Sequence, residues 1–489
     1  VGSDLCGAAG AQGVAAVSFQ AVPQTPQAPP APATPFTRWT PVLVALVGLV
    51  AASSLGPLPP DQAYRAFSGA EHLSLGEGLP AGAPLLWSAA LGGLLQAGGD
   101  PLSAAVACGL FALAALPIVI WRLARAGARA QGELPAWSPL VALALLLCDA
   151  DLALVAVEGL ATLPAAALLA WGVSSLLSAR WRQAGAGVHL WAGLILGLAA
   201  ALDLVAAIGV LALLLLIAGA ALRPRRGPAR LGPLLMTALV ALPPAFLAPR
   251  PAGAGDGAWG LSWMGGHVLS HPALWLLVAL RPVAGPPTRR SWALSTMAAA
   301  MILLPSIFLP SDALQARQLA LVSPLLCVLA AESAAGLVAR WGGLRVGATG
   351  LLLLAFGLSR GTLANLDRAG LRAAEGEQAR RVGRALANQL PRQTLLALHP
   401  AGAIPYYARL SAIDLRGDVP LQAARPDVVL PGEGLLALTP QTPPMPPPLF
   451  TADLADYRVV VLPLDEEWLH LWVRKGFLEE RFPGMGPPG

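Results

Sequence analysis

Charge is scarce in this chain. Only 12% of its 489 residues are Asp, Glu, Lys or Arg, while 56% are hydrophobic. Soluble domains carry roughly 25% charged residues, so a single large soluble core is excluded. Lysine is nearly absent, with Lys475 standing alone. The formal net charge of +5 is therefore almost all arginine, spread thinly along the chain, and no basic patch suited to nucleic acid is present. The four cysteines, Cys6, Cys108, Cys148 and Cys327, lie far apart, the last three in apolar blocks. A thiol there behaves as a small hydrophobe, and neither a disulfide framework nor a cysteine metal site is expected.

What the chain has is apolar blocks of roughly 17 to 23 residues between short charged or Pro-rich joints, the helical length that crosses about 30 Å of hydrocarbon. The expected fold is mainly α, a polytopic transmembrane bundle of about eleven spans. These fall near 39–56, 101–121, 138–156, 160–179, 188–202, 204–222, 231–248, 263–281, 291–310, 317–339 and 343–359. Residues 1–37, rich in Ala, Gln and Pro, lack the charged start and apolar run of a signal peptide. They are expected to be a disordered cytoplasmic leader.

The joints supply an independent check, because arginine collects on the cytoplasmic side. Every second joint is arginine-bearing: Arg38, then Arg122, Arg125 and Arg129, then Arg180 and Arg182, then Arg223 to Arg230, then Arg289 and Arg290, then Arg340 and Arg345. The other joints carry acids, among them Asp61, Glu71, Asp100, Asp149, Asp151, Glu158, Asp203, Asp256 and Asp312. The odd number of spans then puts the N-terminus in the cytoplasm, the loop 57–100 outside and residues 361–489 outside, in the plasma (inner) membrane of a cell.

That tail reads as a small α/β domain. An amphipathic helix is expected near 366–390, with β-like runs at 394–399, 411–415, 428–430, 435–439, 458–462 and 469–474 and a Pro-rich loop at 440–448. Within loop 57–100, the apolar stretch 84–98 is short for a span and is expected along the interface, with Trp87 at headgroup depth.

Ionisable groups inside hydrocarbon mark transport paths, and the spans hold few. Glu332 lies toward one end of its span near Arg340, and Asp203 sits at a joint. No inverted repeat is evident, which weakens a transporter or flippase reading. His267 and His271 share a helical face at ligand spacing, but no third ligand is evident in the nearby sequence, so packing is favoured and no metal set is assigned. Asp149 and Asp151, ending an apolar block, are a candidate acidic site able to take a divalent cation, or they simply terminate a span.

Several segments carry a family pattern. Loop 57–100 reads Pro-Pro-Asp-Gln-Ala-Tyr at 59–64, Ala-Glu-His-Leu at 70–73, Gly-Glu-Gly-Leu at 76–79 and Pro-Leu-Leu-Trp at 84–87. Further along stand Glu-Gly-Leu-Ala-Thr at 158–162, Arg317 through Pro324, and His-Pro-Ala-Gly-Ala-Ile-Pro-Tyr-Tyr at 399–407 followed by Ile413-Asp414 and Gly417. In order and spacing these resemble the GT-C superfamily of multi-spanning glycosyltransferases, with the nearest look to the arabinofuranosyltransferase and mannosyltransferase-like branch. Departures stand at Gln62, where relatives have a second Asp, at Ser68-Gly69, where an Arg-Tyr pair is common, at Ala161, where Glu usually sits, and at 202–204.

The resemblance implies a polyprenyl-phosphate-linked sugar as donor, no firm cofactor beyond an optional divalent cation, and an extracytoplasmic glycan, lipid or protein as acceptor. Such a transfer needs a base for the acceptor hydroxyl and a cation for the departing phosphate. By resemblance and by its place at the head of the loop, Asp61 is the candidate base; the alternative is a helix cap. Arg317 and Arg65 are the candidate phosphate-binding residues, against roles as interfacial anchor and local ion-pair partner. Tyr406 and Tyr407 are candidate sugar-stacking residues, with core packing as the alternative. An inactive relative serving as a glycan-binding or assembly subunit stays open beside the enzyme and the transporter.

Overall fold

The computed structural model describes residues 35–79, 83–131, 137–177, 186–221, 237–238, 240–241, 265–285, 288–308, 318–398, 402–414, 426–430, 436–437, 456–464 and 467–481. The expected leader up to residue 34, most of the expected span 231–248 and the Pro-rich stretch 440–448 lie outside them. Residues Thr40–Gly489 form one compact unit.

Apolar helices dominate. In chain order they are α1 (Pro35–Leu55), α2 (Asp61–Ser74), α3 (Leu85–Gln96), α4 (Pro101–Gln131), α5 (Ser138–Leu147), α6 (Ala150–Val157), α7 (Thr162–Leu177), α8 (Ala186–Leu202) and α9 (Leu204–Ala221). Then follow α10 (Gly265–Ser270), α11 (Pro272–Ala279), α12 (Arg281–Ala284), α13 (Arg289–Phe308), α14 (Leu319–Trp341) and α15 (Gly343–Gln389). Among the described residues two segments, Pro101–Ala126 and Leu319–Trp341, are long and apolar enough to cross a membrane as single helices. The pair α5 and α6 makes a third if its 55° bend is counted within one span. The expected span 138–156 is thus broken. Shorter apolar helices cover the expected spans near 39–56, 160–179, 188–202, 204–222 and 343–359.

Helix α14 is apolar all round and buried along nearly its whole length, the signature of a central helix. It packs against α4, α5, α7, α11, α12 and α13. Small residues allow close crossings: a Cβ at Gly109 of α4 would collide with the Ala156 carbonyl of α6, so this contact requires glycine. Glu332 of α14 faces Arg290 at 3.8 Å and Arg281 at 4.0 Å. Those arginines come from other helices and from far along the chain. Asp203 caps α9, accepting the Val205 N–H at 2.8 Å.

Helix α15 joins the expected span near 343–359 and the expected helix near 366–390 in one element. It runs unbroken for 47 residues, roughly 70 Å at 1.5 Å per residue. Its first half carries outward leucines such as Leu344, Leu351 and Leu352, and its second half is charged. Passing from an apolar to a polar sequence alters what surrounds a helix without interrupting its backbone bonds. The far end buries Val382 and Leu386 against the C-terminal sheet.

The sheet confirms the expected strands: β1 (Leu395–Leu398), β2 (Ser411–Asp414), β3 (Val428–Val429), β4 (Leu436–Ala437), β5 (Tyr457–Leu464) and β6 (Glu467–Arg474). β1 pairs in parallel with β2 and β3, and the short α16 (Ala403–Ala408) lies between β1 and β2 in sequence. β6 runs antiparallel to β5 along one edge and to β3 and β4 on the other. Arg474 at the end of β6 pairs with Asp427 just before β3 at 2.5 Å, and Asp427 also receives the Leu395 N–H at 3.0 Å. The closing helix α17 (Lys475–Arg481) adds Phe477 and Leu478 to the same core.

Trp87 departs from its expected headgroup position. It is 5% exposed, and its indole N–H donates to the Gly159 carbonyl at 3.2 Å. An indole whose only polar atom is engaged inside the protein does not anchor at a lipid–water boundary. Helix α3 instead packs on α2 and α4.

Candidate active site

The break between α5 and α6 creates the site. Asp149 occupies the N-cap position of α6 with φ −82° and ψ 84°, but its carboxylate makes no cap bond. It turns inward and accepts the Ser323 hydroxyl of α14 at Oδ2. His271 Nε2 lies 3.2 Å from Oδ1 and His267 Nε2 lies 4.0 Å from Oδ2, with all three side chains at most 5% exposed.

The two histidines reach it through a second break. Pro272 follows His271, and a residue before proline is pushed out of the helical region; His271 sits at φ −127°, ψ 52° between α10 and α11. The rings stack 4.2 Å apart. His271 Nδ1 contacts the His267 carbonyl at 3.1 Å, and the Trp275 indole N–H donates to His267 Nδ1 at 3.1 Å.

Helix α15 lays two arginines along α6. Arg368 meets Asp151 at 3.3 Å, while Arg372 pairs with Glu158, which is fully buried at the C-cap of α6. Asn365, one turn before Arg368, accepts from it at 3.4 Å. The segment leading into α2 joins here as well, the Leu58 N–H donating to the Val157 carbonyl at 3.1 Å.

An apolar cleft of about 290 Å³ ends at this cluster. Val44, Gly48 and Ala51 of α1, Leu113 and Pro117 of α4 and Leu366 of α15 line its length, with Asp149 and Asn365 among its polar wall. An apolar groove with an aspartate and an asparagine in its wall, and a half-exposed guanidinium one turn on from the asparagine, suits a molecule with a long hydrocarbon part and an ionic head.

Of the sequence-expected residues, the structure brings Asp149 and Asp151 together and adds His267 and His271, which sequence reasoning had assigned to packing for want of a third ligand. The missing partners lay over a hundred residues away. The donor atoms of all four lie within 4.8 Å of one another. Asp61 is the first residue of α2, with Pro60 at the N-cap position; its side chain lies outside the described residues, as does Arg317. Arg65 is half-buried on α2, one turn after Asp61. Arg368 and Arg372 were missed, because nothing in the sequence indicates that their helix passes the acids.

Tyr406 and Tyr407 dock α16 on α2. The Tyr64 and Tyr407 hydroxyls are 3.0 Å apart, and Tyr64 packs on Phe67 and Tyr406 with ring centroids 5.6 and 5.2 Å apart. The two tyrosines therefore form an aromatic joint, with each ring half-buried. Burial raises the Tyr406 phenol well above its ordinary range, assisted by Glu71 and Asp100. Burial also raises the Glu71 carboxyl, with Arg409 opposing. A carboxyl raised on folding favours the native state when protonated, and that contribution is lost as pH climbs through the raised value. Glu71→Gln is therefore expected to melt above wild type at pH 7 and level with it in acid below the carboxylate range, as followed by thermal unfolding.

Among the described residues, helices apolar enough to cross a membrane, a carboxylate cluster where the α5–α6 pair bends and a small C-terminal sheet make up the fold. The fold is similar to that of ArnT from Cupriavidus metallidurans. The crystal structure of ArnT bound to undecaprenyl phosphate aligns with TM-score 0.52 at 15% identity, covering 77% of this chain and 86% of that one. The apo structure gives the same score and identity, covering 78% and 86%. A family model described as a domain of unknown function (DUF8728) matches residues 367–465. No curated protein matches the sequence.

Proposed function

We propose that the chain is a membrane glycosyltransferase that moves a sugar from a polyprenyl-phosphate donor to an extracytoplasmic glycan, lipid or protein hydroxyl, with inversion at the anomeric carbon. The observation that carries this reading is the apolar cleft with Asp149 and Asn365 in its wall, Asn365 being the residue that Arg368 contacts at 3.4 Å. The ArnT fold, seen elsewhere with undecaprenyl phosphate bound, supports a lipid phosphate as the occupant.

In this reading the polyprenyl tail lies between α1, α4 and α15, and its phosphate comes to rest beside Arg368, whose side chain is 40% exposed. That guanidinium takes the part expected of Arg317 or Arg65, accepting the charge that develops on the departing phosphate. Asp61, entering α2 just after the Leu58–Val157 tether, takes the proton of the acceptor hydroxyl as the C–O bond to the sugar forms. General-base removal typically costs 10²–10⁴-fold in rate. The alternation of arginine-bearing joints supports a reading in which this face lies outside the cytoplasm. The sugar belongs to the pentose or hexose class of the arabinofuranosyl and mannosyl branch.

The test is release of polyprenyl phosphate from radiolabelled polyprenyl-phosphate pentoses and hexoses by purified protein in lipid. Release that depends on acceptor and falls at least about 100-fold in Asp61→Asn is the expected result. Gln62 and Ala161 stand where relatives carry acids, which favours a second reading as a non-catalytic glycan-binding subunit. No release with any donor, alongside intact lipid binding, would decide for that one.

A further inference from the structure

Helix α14 is polarised along its length. Ser323 near its start meets Asp149, whereas its second half meets arginines. Arg281 of α12 and Arg290 of α13 converge on Glu332, and the Arg290 guanidinium also donates to the Leu123 carbonyl of α4. One turn further, a Cβ at Gly336 would collide with the Ala284 carbonyl, so α12 lies hard against α14 beside this cluster. Arg122 and Arg125 flank Leu123 in sequence, Arg340 lies in the last turn of α14, and Arg345 follows at the start of α15. Among the described residues, Glu332 is the one acid within ion-pair distance of any of these six arginines.

Two guanidiniums thus share one carboxylate, and neither bonds to it. Separations of 3.8 and 4.0 Å are too long for hydrogen bonds. Both Glu332 oxygens, Arg281 Nε, and Arg290 Nε and Nη1 are buried without a hydrogen bond among the described residues. Arg281 engages its other nitrogens with the Gly285 carbonyl at 3.3 Å and the Ser291 hydroxyl at 3.1 Å. A water between Glu332 and the guanidiniums would satisfy atoms but leave the surplus positive charge in place, and taking such a charge out of water is costly. Thr288 accepts the Ser291 N–H at 3.1 Å in the first turn of α13, so the positive end of that 20-residue helix adds to the same field. What the cluster lacks is an anion.

The flank of the cluster suits lipid. Trp292, two residues after Arg290, is 60% exposed, and Trp341, next to Arg340, is 49% exposed. Exposed indoles beside arginines mark a lipid–water boundary. Arg281 keeps part of its side chain open and Val283 of α12 is exposed beside it, so a headgroup reaches the cluster from this rim.

We propose that this end of the bundle holds the phosphate of an anionic phospholipid, with Arg281 and Arg290 donating to its oxygens, Arg122 at the rim and Glu332 setting the two guanidiniums in place. Basic pockets between membrane helices take such headgroups. The site lies at the other end of α14 from the Asp149 cluster. It does not require the transfer reaction proposed above, and its test reads lipid binding rather than turnover.

Delipidated protein is titrated with phosphatidylglycerol and, separately, with phosphatidylcholine of the same acyl chains, with and without inorganic phosphate, and occupancy is read by native mass spectrometry. Phosphatidylglycerol is expected to bind the more tightly, about 5-fold more weakly in Arg281→Gln and about 5-fold more tightly in Glu332→Gln, one charge removed of each sign. Phosphatidylcholine should respond to neither change, and inorganic phosphate should not compete. Arginines present only to neutralise Glu332 would give no gain of affinity in Glu332→Gln. Thermal melting shows which variants fold. Arg122→Gln, at an exposed position that leaves no buried charge behind, should weaken phosphatidylglycerol whether or not the other two fold. Equal binding of the two lipids, or undiminished phosphatidylglycerol binding in Arg122→Gln and folded Arg281→Gln, would overturn the site. Displacement by inorganic phosphate would overturn the lipid assignment in favour of a soluble anion.

Discussion

Arg372→Ala should be the most destabilising single change at the site, by about 3–5 kcal/mol. Glu158 has no exposed surface, and Arg372, 27% exposed, is the guanidinium that faces it. The Coulomb attraction between them is modest against the cost of drying two charges, so replacing both with apolar residues of similar volume should be far milder than removing one. Arg372→Ala is therefore expected to lower the apparent melting temperature in detergent sharply, Arg372→Lys to recover part of the loss, and the double variant Arg372→Met with Glu158→Leu to recover most of it. Equal melting of the single and double variants would show that the buried charge is not what α15 secures.

The pair also explains why the charged half of α15 is ordered beside the bundle at all. This stretch, rich in Arg and Glu, has little apolar surface of its own until Val382 and Leu386 reach the sheet. Between the apolar half and that core, Arg368 and Arg372 fasten it to α6. The bent pair α5–α6 and the long helix α15 thus brace one another around the acids.

Much of this architecture was legible in the sequence, and the unread parts have identifiable physical causes. The strands were found because short runs rich in β-branched and apolar residues, as in Tyr457–Leu464, stand out between loop signals. The order of loop, span and tail segments carried the family resemblance for the same reason that the fold agrees with ArnT: both depend on where apolar length and turn residues fall. The bend at Cys148–Asp149 was hidden because no proline or glycine marks it. The site was hidden by distance, since Asp149, His267, Ser323 and Arg368 come from four separate parts of the chain and none has a local partner to announce it. Trp87 misled because an indole beside an apolar stretch reads the same whether its N–H meets lipid headgroups or, as here, the Gly159 carbonyl.

Arg368→Gln should weaken lipid binding at a smaller cost in stability than Arg372→Ala. Its guanidinium is 40% exposed and Asp151 11%, against 27% and 0% for Arg372 and Glu158, so less buried charge is left without a partner. Binding of a lipid from a bilayer differs from binding out of water: the polyprenyl tail leaves hydrocarbon to enter the cleft, so apolar burial supplies little net drive. The ionic head must then carry most of the affinity and all of the register. A hydrogen bond to a charged group typically contributes about 1.5–3 kcal/mol, so undecaprenyl phosphate should bind at least about 10-fold more weakly to Arg368→Gln. Arg368→Lys should fall between, since an ammonium keeps the charge but not the planar fork. Native mass spectrometry of the protein titrated with undecaprenyl phosphate measures this directly. Unchanged binding in Arg368→Gln would move the phosphate away from α15, and Arg65→Gln and Arg317→Gln would then separate the two cations first read from the sequence.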